Sequence, residues 1–255
     1  MKILDLFSGI GGFAIAAHWA GFTTAQFVEI DKNAQKVLRH HCPTVPIHDD
    51  VRDYVGDRHQ FDIITAGFPC TGTSFAGLQA GLNHPESELF YEILRIAKNV
   101  EPKFIVIENP VGLITNGLRE ILALLRMAGY SSTIISVSAA RLGAGHRRER
   151  LFIVSYPHIG SGSPRIEVCG ANQVRALVQK AKFHAHWLQI KPVRNVTDYG
   201  FWLQLVRSGV GFQPKSSPTV KAGLKGRLTA RVLAGRTVTP PQALVPMLWI
   251  KNRLS

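Results

Sequence analysis

The stretch GFPCTGTSFAG, residues 67–77, holds a cysteine in a position suited to chemistry. Cys70 follows the apolar run FDIITA, which has the composition of a buried strand, and it precedes a loop rich in glycine and hydroxyl side chains. Most cysteines are small, inert core residues. A cysteine at a strand end can instead act as a nucleophile when nearby positive charge favours its thiolate. The stretch therefore raises the hypothesis of a nucleophilic Cys70.

Charged side chains stand at similar places further along the chain. Glu108 ends the apolar run FIVIE, and Arg148 and Arg150 lie in GHRRERLFIV, before or at the start of another run. Because side chains alternate along a strand, the two arginines are expected to face the same side. Their charge would favour a thiolate at Cys70.

The first apolar run leads into the glycine-rich segment DLFSGIGG. Gly9, Gly11 and Gly12 permit a tight turn that brings a ligand close to the backbone at the start of a helix. The spacing differs from the GxGxxG of dinucleotide sites, so the segment alone indicates only a turn.

Acidic residues follow the next two runs. Glu29, in VEID, is suited to accept hydrogen bonds from ribose hydroxyls, and Ile30 to flank an adenine ring. Asp50, in HDDVRDY, is suited to accept from an adenine amino group. Each acid alone is better explained as a helix cap or a surface residue, but together they outline a nucleoside pocket.

Strand-like and helix-like segments alternate over residues 1–156. The strand candidates are KILDLF, AQFVEI, FDIITA, FIVIE, TIISVS and RLFIVSY, and the helix candidates are FAIAAHWA, NAQKVLRHH, SELFYEILRIAKNV and GLREILALLRMAG. This alternation predicts an α/β fold with a doubly wound, mostly parallel sheet. In such sheets, ligands bind at the carboxyl ends of the strands.

The alternation stops after Tyr156. Residues 157–234 are rich in Gly, Pro, Ser, Lys and Arg with interspersed aromatic residues, which predicts a second, smaller and irregular domain. The segment TPPQALVPMLWIKNRL, within residues 235–255, reads as one helix opened by prolines that completes the first domain.

Charge is distributed unevenly between the two parts. Residues 1–140 carry 11 Lys and Arg against 14 Asp and Glu, whereas residues 141–255 carry 19 against 3. The net charges of −3 and +16 sum to the +13 of the whole chain. Such asymmetry favours binding of a polyanion, most commonly nucleic acid, over a merely solvated basic surface.

The remaining composition excludes several other classes of protein. Three widely spaced cysteines, Cys42, Cys70 and Cys169, form neither a disulfide framework nor a pair of CxxC metal knuckles. No apolar stretch approaches the roughly 20 residues of a membrane span, and Asp5 interrupts the apolar N-terminus. We therefore expect a soluble cytoplasmic protein with reduced thiols and no metal.

Five segments together resemble the successive motifs of the C5-cytosine DNA methyltransferase family. They are, in order, DLFSGIGG, VEIDKNAQ, GFPC with the following Ser74 and AG, IEN, and RRERLFIV, and they span residues 3–155. The resemblance implies a Rossmann-like methyltransferase fold that binds S-adenosylmethionine. It also implies a target-recognition domain at 157–234 and a last helix that packs back onto the catalytic domain.

The resemblance further implies a catalytic role for each matching residue. The thiolate of Cys70 would add to C6 of a flipped-out cytosine, and protonated Glu108 would donate to N3. Asn109 would fix the loop that carries Glu108. Arg150 would reach O2 of the base or the catalytic lid, and Arg148 would order the site or contact a DNA phosphate.

The cofactor site is implied in the same way. Phe7 would pack on adenine, the glycine turn would lie beside the methionine part, Glu29 would bind the ribose and Asp50 the adenine amino group. The full set of cofactor residues is Asp5, Phe7, Ser8, Gly9, Ile10, Gly11, Gly12, Glu29, Ile30, Asp50, Val51, Pro69, Thr237 and Val238.

This sequence departs from the family pattern at several positions. Thr71, in the lid with Ser74, stands where glutamine is usual, and His146 does the same before the arginines. Pro110 replaces a common valine, and Arg236 stands where asparagine is typical. The segment RLTARVLAGRTVTPPQAL resembles a compressed merger of the last two family motifs.

Alternative functions stay open from sequence alone. The favoured function is that of a monomeric enzyme acting on double-stranded DNA, with a cognate restriction endonuclease as a candidate partner. An RNA cytosine-C5 methyltransferase and a catalytically impaired DNA-binding homologue are the alternatives, since DNA and RNA are both polyanions. Retention of Cys70, Glu108 and both arginines speaks against the impaired homologue. A nicotinamide-dependent oxidoreductase would leave the cysteine site unexplained.

Overall fold

The computed structural model of the chain describes residues 1–69, 89–144, 147–184 and 238–255. Its strands are β1 (Lys2–Leu6), β2 (Thr23–Val28), β3 (Ile47–His48), β4 (Ile63–Ala66), β5 (Phe104–Pro110), β6 (Tyr130–Ser138), β7 (Glu149–Pro157) and β8 (Ile166–Val168). Its helices are α1 (Gly12–Ala20), α2 (Lys32–His41), α3 (Leu89–Val100), α4 (Leu113–Asn116), α5 (Leu118–Met127), α6 (Ala171–His184) and α7 (Pro240–Leu254), with a 3-10 helix at Ala139–Leu142.

The strands form one sheet in the order β3-β2-β1-β4-β5-β7-β6-β8. The five strands from β3 to β5 run parallel, whereas β7 is antiparallel to both of its neighbours, β5 and β6. This arrangement confirms the predicted α/β fold with a mostly parallel sheet. Because β7 runs the opposite way, it begins at the edge of the sheet where β1, β4 and β5 end.

Helices cover both faces of the sheet, so its strands are apolar on both sides. Along β5, Ile105 and Ile107 pack with α3 and α5 on one face, while Phe104 and Val106 pack with α1, α6 and α7 on the other. The alternation of side chains along the strand sends successive residues into the two cores. This explains why the strand candidates are continuous apolar runs rather than alternating ones.

The last helix, α7, is buried along most of its length and packs against α1 and α6. Pro240 and Pro241 occupy its first turn, where no intrahelical N–H is needed. Near its other end, Nζ of Lys251 donates to the carbonyl oxygen of Ala20 at 3.1 Å, at the end of α1. The helix at the end of the given sequence thus lies against helices that cover the sheet. Neither α7 nor any other helix in the described ranges is long and apolar enough to span a membrane.

Residues 158–184 include two elements that the sequence analysis did not anticipate. β8 extends the sheet by pairing parallel with β6, and α6 packs against α7. The buried residues of α6, Val174, Leu177, Val178 and Ala181, have helical spacing that was readable in the sequence. The domain built on the sheet thus continues past Tyr156. A separate recognition domain stays a prediction, and most of its range, 185–234, lies outside the described residues.

One acid lies fully inside the sheet. Asp5, on β1, has no exposed surface, and its Oδ1 accepts a hydrogen bond from the Thr65 hydroxyl at 2.6 Å. Its Oδ2 has no hydrogen-bond partner within the described residues. Burial raises the pKa of Asp5 to about 7, and the charge of Glu29 acts in the same direction, while the Thr65 bond opposes both. The neutral form of Asp5 is therefore favoured much more than in an exposed aspartate.

The pKa of Asp5 predicts a pH-dependent stability. Because the folded-state pKa lies above that of the unfolded chain, the stabilisation is complete at low pH and is lost as the pH rises through about 7. Between pH 5 and pH 8, we expect the unfolding free energy of the wild type to fall by about 2–3 kcal/mol more than that of Asp5→Asn. Urea unfolding at both pH values measures this. The exposed-site control Asp57→Asn should follow the wild type, and parallel curves for all three proteins would contradict the prediction.

Candidate active site

The candidate active site lies where three strands end and a fourth begins. β1, β4 and β5 end side by side, with Leu6 opposite Ala66 and Ala66 opposite Ile107. At the same edge β7 begins, with Arg150 opposite Pro110. The segment leading to Cys70, the acid of β5 and the arginines of β7 therefore converge. Cys70 itself and the predicted lid residues Thr71 and Ser74 lie outside the described residues.

Glu108 and Arg150 form a buried ion pair. Nε of Arg150 donates to Oε1 of Glu108 at 2.6 Å, and the Glu108 residue is only 7% exposed. Burial raises the pKa of Glu108, whereas the positive charges of Arg150 and Arg148 lower it without cancelling the rise. Both arginines thus act on one carboxyl group, as expected from their alternate positions on a strand. The net effect favours a protonated Glu108 more than its ordinary pKa would.

The segment between β4 and Cys70 is held against the end of β5. Nδ2 of the buried Asn109 donates to the carbonyl oxygen of Phe68 at 3.3 Å. A Cβ atom built on Gly67 would lie 3.2 Å from Oε2 of Glu108, so a larger residue would press on the acid. Pro69, the last described residue before Cys70, is half-buried. These contacts fix the direction in which the chain leaves β4.

The glycine turn between β1 and α1 uses left-handed backbone conformations. Phe7, Gly9 and Gly11 have φ of +54°, +55° and +91°. At Gly11 the left-handed φ disfavours a side chain, and an added Cβ would lie 3.2 Å from Cδ2 of Leu38. Ser8 is buried, and its hydroxyl donates to the carbonyl oxygen of Asp5 at 2.6 Å. The turn is thus shaped tightly before α1 begins at Gly12.

Glu29 connects the glycine turn to the end of β2. Its Oε2 accepts from the backbone N–H of Gly9 at 2.6 Å, and its Oε1 accepts from that of Asp31 at 2.8 Å. Burial raises the pKa of Glu29, while these backbone hydrogen bonds lower it. Each oxygen keeps a lone pair for a further donor. The side chain predicted to meet the ribose therefore also holds the turn in place.

The remaining predicted cofactor residues follow β3 and β2. Asp50 accepts from the backbone N–H and from Nη1 of Arg52, both at 3.0 Å, and chiefly the backbone bond lowers its pKa. Ile30 is 61% exposed and Val51 is buried. Because β3, β2 and β1 are adjacent, Asp50, Glu29 and the glycine turn stand in sequence along one edge.

The chemistry of these groups suits a nucleoside. Carboxylate acceptors match ribose hydroxyls and an adenine amino group, and the exposed Ile30 offers an apolar surface for a ring. Two predicted contributors, Val238 and Asp5, lie in the interior of the protein instead. Val238 is buried in the core among residues of α1, α6 and α7, and Thr237 lies outside the described residues. Asp5 directs its carboxyl group to Thr65 inside the sheet.

Three polar residues that bear on the site were not singled out from the sequence. Thr65 bonds Asp5, and Gln35 donates to Oδ1 of Asp49 at 2.9 Å and to the carbonyl oxygen of Glu29. Gln242, in α7, donates to backbone carbonyls beside the arginines. Only Gln242 had a sequence signal, the pattern Thr-x-x-Gln at a helix start. Within the described ranges, no three His, Cys, Asp or Glu side chains form a group able to hold a metal.

Comparisons with known proteins identify methyltransferases that are similar to this chain in sequence or in fold. The type II methyltransferase M.FnuDI of Fusobacterium nucleatum is 34% identical over 161 residues, which are 61% of this chain and 47% of that protein. M.CviJI of Paramecium bursaria Chlorella virus IL3A is 34% identical over 157 residues, 60% of this chain and 42% of its own length. The chain thus spans about half the length of these relatives.

Solved structures share the fold. The Dnmt2 methyltransferase of S. pombe superposes with a TM-score of 0.66 at 14% identity and covers 99% of both chains. The methyltransferase EhMeth of Entamoeba histolytica gives a TM-score of 0.67 at 13% identity, covering 100% of this chain and 99% of that one. The sequence model of the family described as C-5 cytosine-specific DNA methylase matches residues 1–168, about two thirds of the chain. With five motifs in order and this fold, the chain belongs to the C-5 cytosine-specific DNA methylase family.

Proposed function

We propose that this chain transfers a methyl group from S-adenosylmethionine to C5 of a cytosine in a specific sequence of duplex DNA. One observation carries the proposal. A buried carboxyl group with a raised pKa, Glu108, lies beside Arg150 at the sheet edge where the chain leads into Cys70. An acid biased towards its neutral form, at the sheet edge from which the chain leads to a candidate nucleophile, supports proton donation to a ring under attack.

The chemistry of cytosine explains why both groups are needed. C5 is too weakly nucleophilic to accept a methyl group unaided. Addition of the Cys70 thiolate to C6 forms a C–S bond, pushes electron density towards N3 and leaves C5 as the carbon of an enamine. A proton delivered from Glu108 to N3 would neutralise the charge that develops there. After methyl transfer, a base removes the C5 proton and the C–S bond breaks to release Cys70.

The arginines support this sequence of steps in two ways. Arg150 orients the Glu108 carboxyl group through the 2.6 Å contact, so that its other oxygen is available to the base. The positive charge of Arg148 and Arg150 would favour a thiolate at Cys70 and stabilise the negative charge that addition places on the ring. These roles are proposed, as is contact of Arg148 with a DNA phosphate.

The methyl donor would be held by the residues at the ends of β1, β2 and β3. When bound, S-adenosylmethionine supplies an electrophilic methyl group on a sulfonium. Glu29, fixed by the N–H groups of Gly9 and Asp31, would accept from the ribose hydroxyls, and Ile30 and Phe7 would flank the adenine. Asp50 would accept from the adenine amino group after rotation away from Arg52.

The target base lies inside a stacked duplex, so it must be flipped out before Cys70 can reach C6. Flipping costs a few kcal/mol. The basic half of the chain, with 19 Lys and Arg against 3 Asp and Glu over residues 141–255, would offset this through phosphate contacts. A cognate restriction endonuclease and the cytoplasm remain the proposed partner and location.

Cys70→Ala should abolish transfer of labelled methyl groups to duplex DNA because no thiolate can add to C6. It should also abolish the denaturation-resistant adduct that wild-type protein forms with duplexes containing 5-fluorocytosine, whose C5 fluorine blocks release. Cys42→Ala is the matched control and should keep both activities, since burial raises the pKa of the Cys42 thiol to about 12. Sequencing of the methylated DNA identifies the target. Transfer to RNA but not to DNA would support the RNA alternative and contradict the proposal.

Glu108→Gln should slow methyl transfer by about 10²–10⁴-fold, because an amide can donate a hydrogen bond to N3 but cannot deliver a proton. Binding of S-adenosylmethionine, measured by calorimetry, should change little because Glu108 lies outside the proposed cofactor groups. Glu167→Gln, at an exposed acid on β8, is the control and should leave turnover as in the wild type. Near-normal turnover by Glu108→Gln would remove Glu108 from the mechanism.

Substitution of basic residues in the predicted recognition region should weaken DNA binding and flatten its salt dependence. In Lys215→Gln, Lys221→Gln and Lys225→Gln combined, we expect the slope of log K against log salt to lose up to about 3, since each phosphate contact contributes roughly 0.9. The control combines Lys36→Gln and Lys98→Gln, exposed residues of the acidic half. Equal slopes for all proteins would show that this region is not the DNA-binding face.

A further inference from the structure

A single buried amide links the last helix to the strand that carries the arginines. Gln242, in α7, has no exposed surface. Its Nε2 donates to the carbonyl oxygens of Val137 and Arg148, both at 2.8 Å, and its Oε1 accepts from the Thr239 hydroxyl at 2.6 Å. Both amide hydrogens and the amide oxygen therefore have partners, and the orientation of the amide is fixed.

The start of α7 does not itself require this arrangement. In a Thr-x-x-Gln capping box, the glutamine side chain reaches back to its own helix start. Here Pro240 and Pro241 supply no N–H groups to cap, and the Thr239 hydroxyl donates to Gln242 instead of accepting from the helix. The amide of Gln242 is turned away from its helix towards the sheet. The role of the Gln242 amide therefore concerns the two carbonyls to which it donates.

Those carbonyls lie at the two ends of one connection. Val137 is the second-last residue of β6, and Arg148 directly precedes β7. Two further hydrogen bonds join the same two chain segments. The N–H of Ala139 donates to the Arg148 carbonyl at 3.1 Å, and the Ser138 hydroxyl donates to the Arg147 carbonyl at 2.8 Å. Gln242 therefore holds together the two chain segments between which the connection projects.

The position of Arg150 depends on how the end of β6 and the start of β7 are held together. Arg150 stands two residues beyond the clamped carbonyl, opposite Val137 on β6 and Pro110 on β5. Without the amide donors, the carbonyl of Val137 would lose a hydrogen bond, and that of Arg148 would keep only the one from the Ala139 N–H and could turn. Rotation of the peptide after Arg148 would shift the start of β7 and the guanidinium that meets Glu108.

We propose that Gln242 is a positioning residue, which through the Arg148 carbonyl sets how Arg150 presents its Nε to Glu108. The expected effect on turnover rests on the proposed methyltransferase function, whereas the expected effect on the Arg150–Glu108 contact does not. The last helix thus acts on the catalytic acid through one amide and two residues of β7, without touching substrate or cofactor.

Hydrogen exchange of the Arg150 side chain tests the contact directly. Gln242→Met keeps the volume and removes all three hydrogen bonds, and we expect the Nε–H of Arg150, assigned by its loss in Arg150→Lys, to exchange at least about tenfold faster by NMR. Ile250→Ala is the control because it creates a cavity in the same helix about 12 Å from position 242. Faster exchange in Gln242→Met alone supports the proposal. Unchanged exchange, or an equal increase in both variants, overturns it.

Turnover provides a second readout. We expect Gln242→Met to lower kcat about tenfold or more while the KM for S-adenosylmethionine stays within about twofold, because the glycine turn and Glu29 lie strands away from β7. In an Arg150→Gln background, the same change should have little further effect, since it acts through Arg150. Ile250→Ala should keep the wild-type kcat. Additive losses in the double variant, or a matching loss in Ile250→Ala, would overturn the positioning role.

If Gln242→Met does not fold, a milder variant tests the same proposal. Thr239→Val removes the donor to Oε1 and leaves both amide donors in place, so it should speed Arg150 exchange by a smaller factor, about two- to threefold. No change there would overturn the proposal. Absence of methyl transfer by wild-type protein would instead defeat the proposed function, and the exchange experiment would still decide the role of Gln242.

Discussion

The antiparallel pairing of β7 with β5 is the constraint on which the candidate site depends. A strand of seven residues is about 23 Å long. Were β7 parallel to β5, Arg150 would lie at the opposite edge of the sheet, roughly that distance from Glu108. Because β7 runs the other way, its first residues meet the last residues of β5. One reversed strand thus brings together an acid and two arginines that are about 40 residues apart in the sequence.

The environment of Glu108 combines two opposing influences. Burial disfavours the charged carboxylate, and the neighbouring Arg150 and Arg148 favour it, with burial dominant. Burial without the arginines would raise the pKa further but leave the carboxyl group free to rotate. The combination favours the protonated form and holds Oε1 in place against Arg150. The absence of a side chain at Gly67 leaves room for Oε2, since a Cβ atom built there would lie only 3.2 Å from it.

The sequence predicted those features that depend on local pattern or on a parallel sheet. Continuous apolar runs identified six of the strands, and the alternation of strands with helices placed Glu108 and the segment leading to Cys70 at neighbouring strand ends. The sequence could not reveal the partners of Thr65 and Gln242, because they lie 60 and about 100 residues away and depend on which strands become neighbours; the Thr-x-x-Gln pattern marked Gln242 only as a residue at a helix start. Glu29 was expected to bind a ligand. Its hydrogen bond to the N–H of Gly9 could not be predicted, because it also depends on which strands become neighbours. The helical spacing in α6 was readable but was obscured by the basic, glycine-rich composition around it.

The burial of α7 between α1 and α6 has a consequence for synthesis of the protein. Translation delivers residues 240–254 after every strand of the described sheet, so the part of one apolar face that α7 covers stays exposed until this helix has been made. That face includes Phe13 of α1 and Leu177 of α6, which pack with Leu244 and Trp249 in the finished core. Exposed apolar surface of this kind promotes aggregation and attracts chaperones. The core of the sheet domain therefore depends on a helix that is translated after all of its described strands.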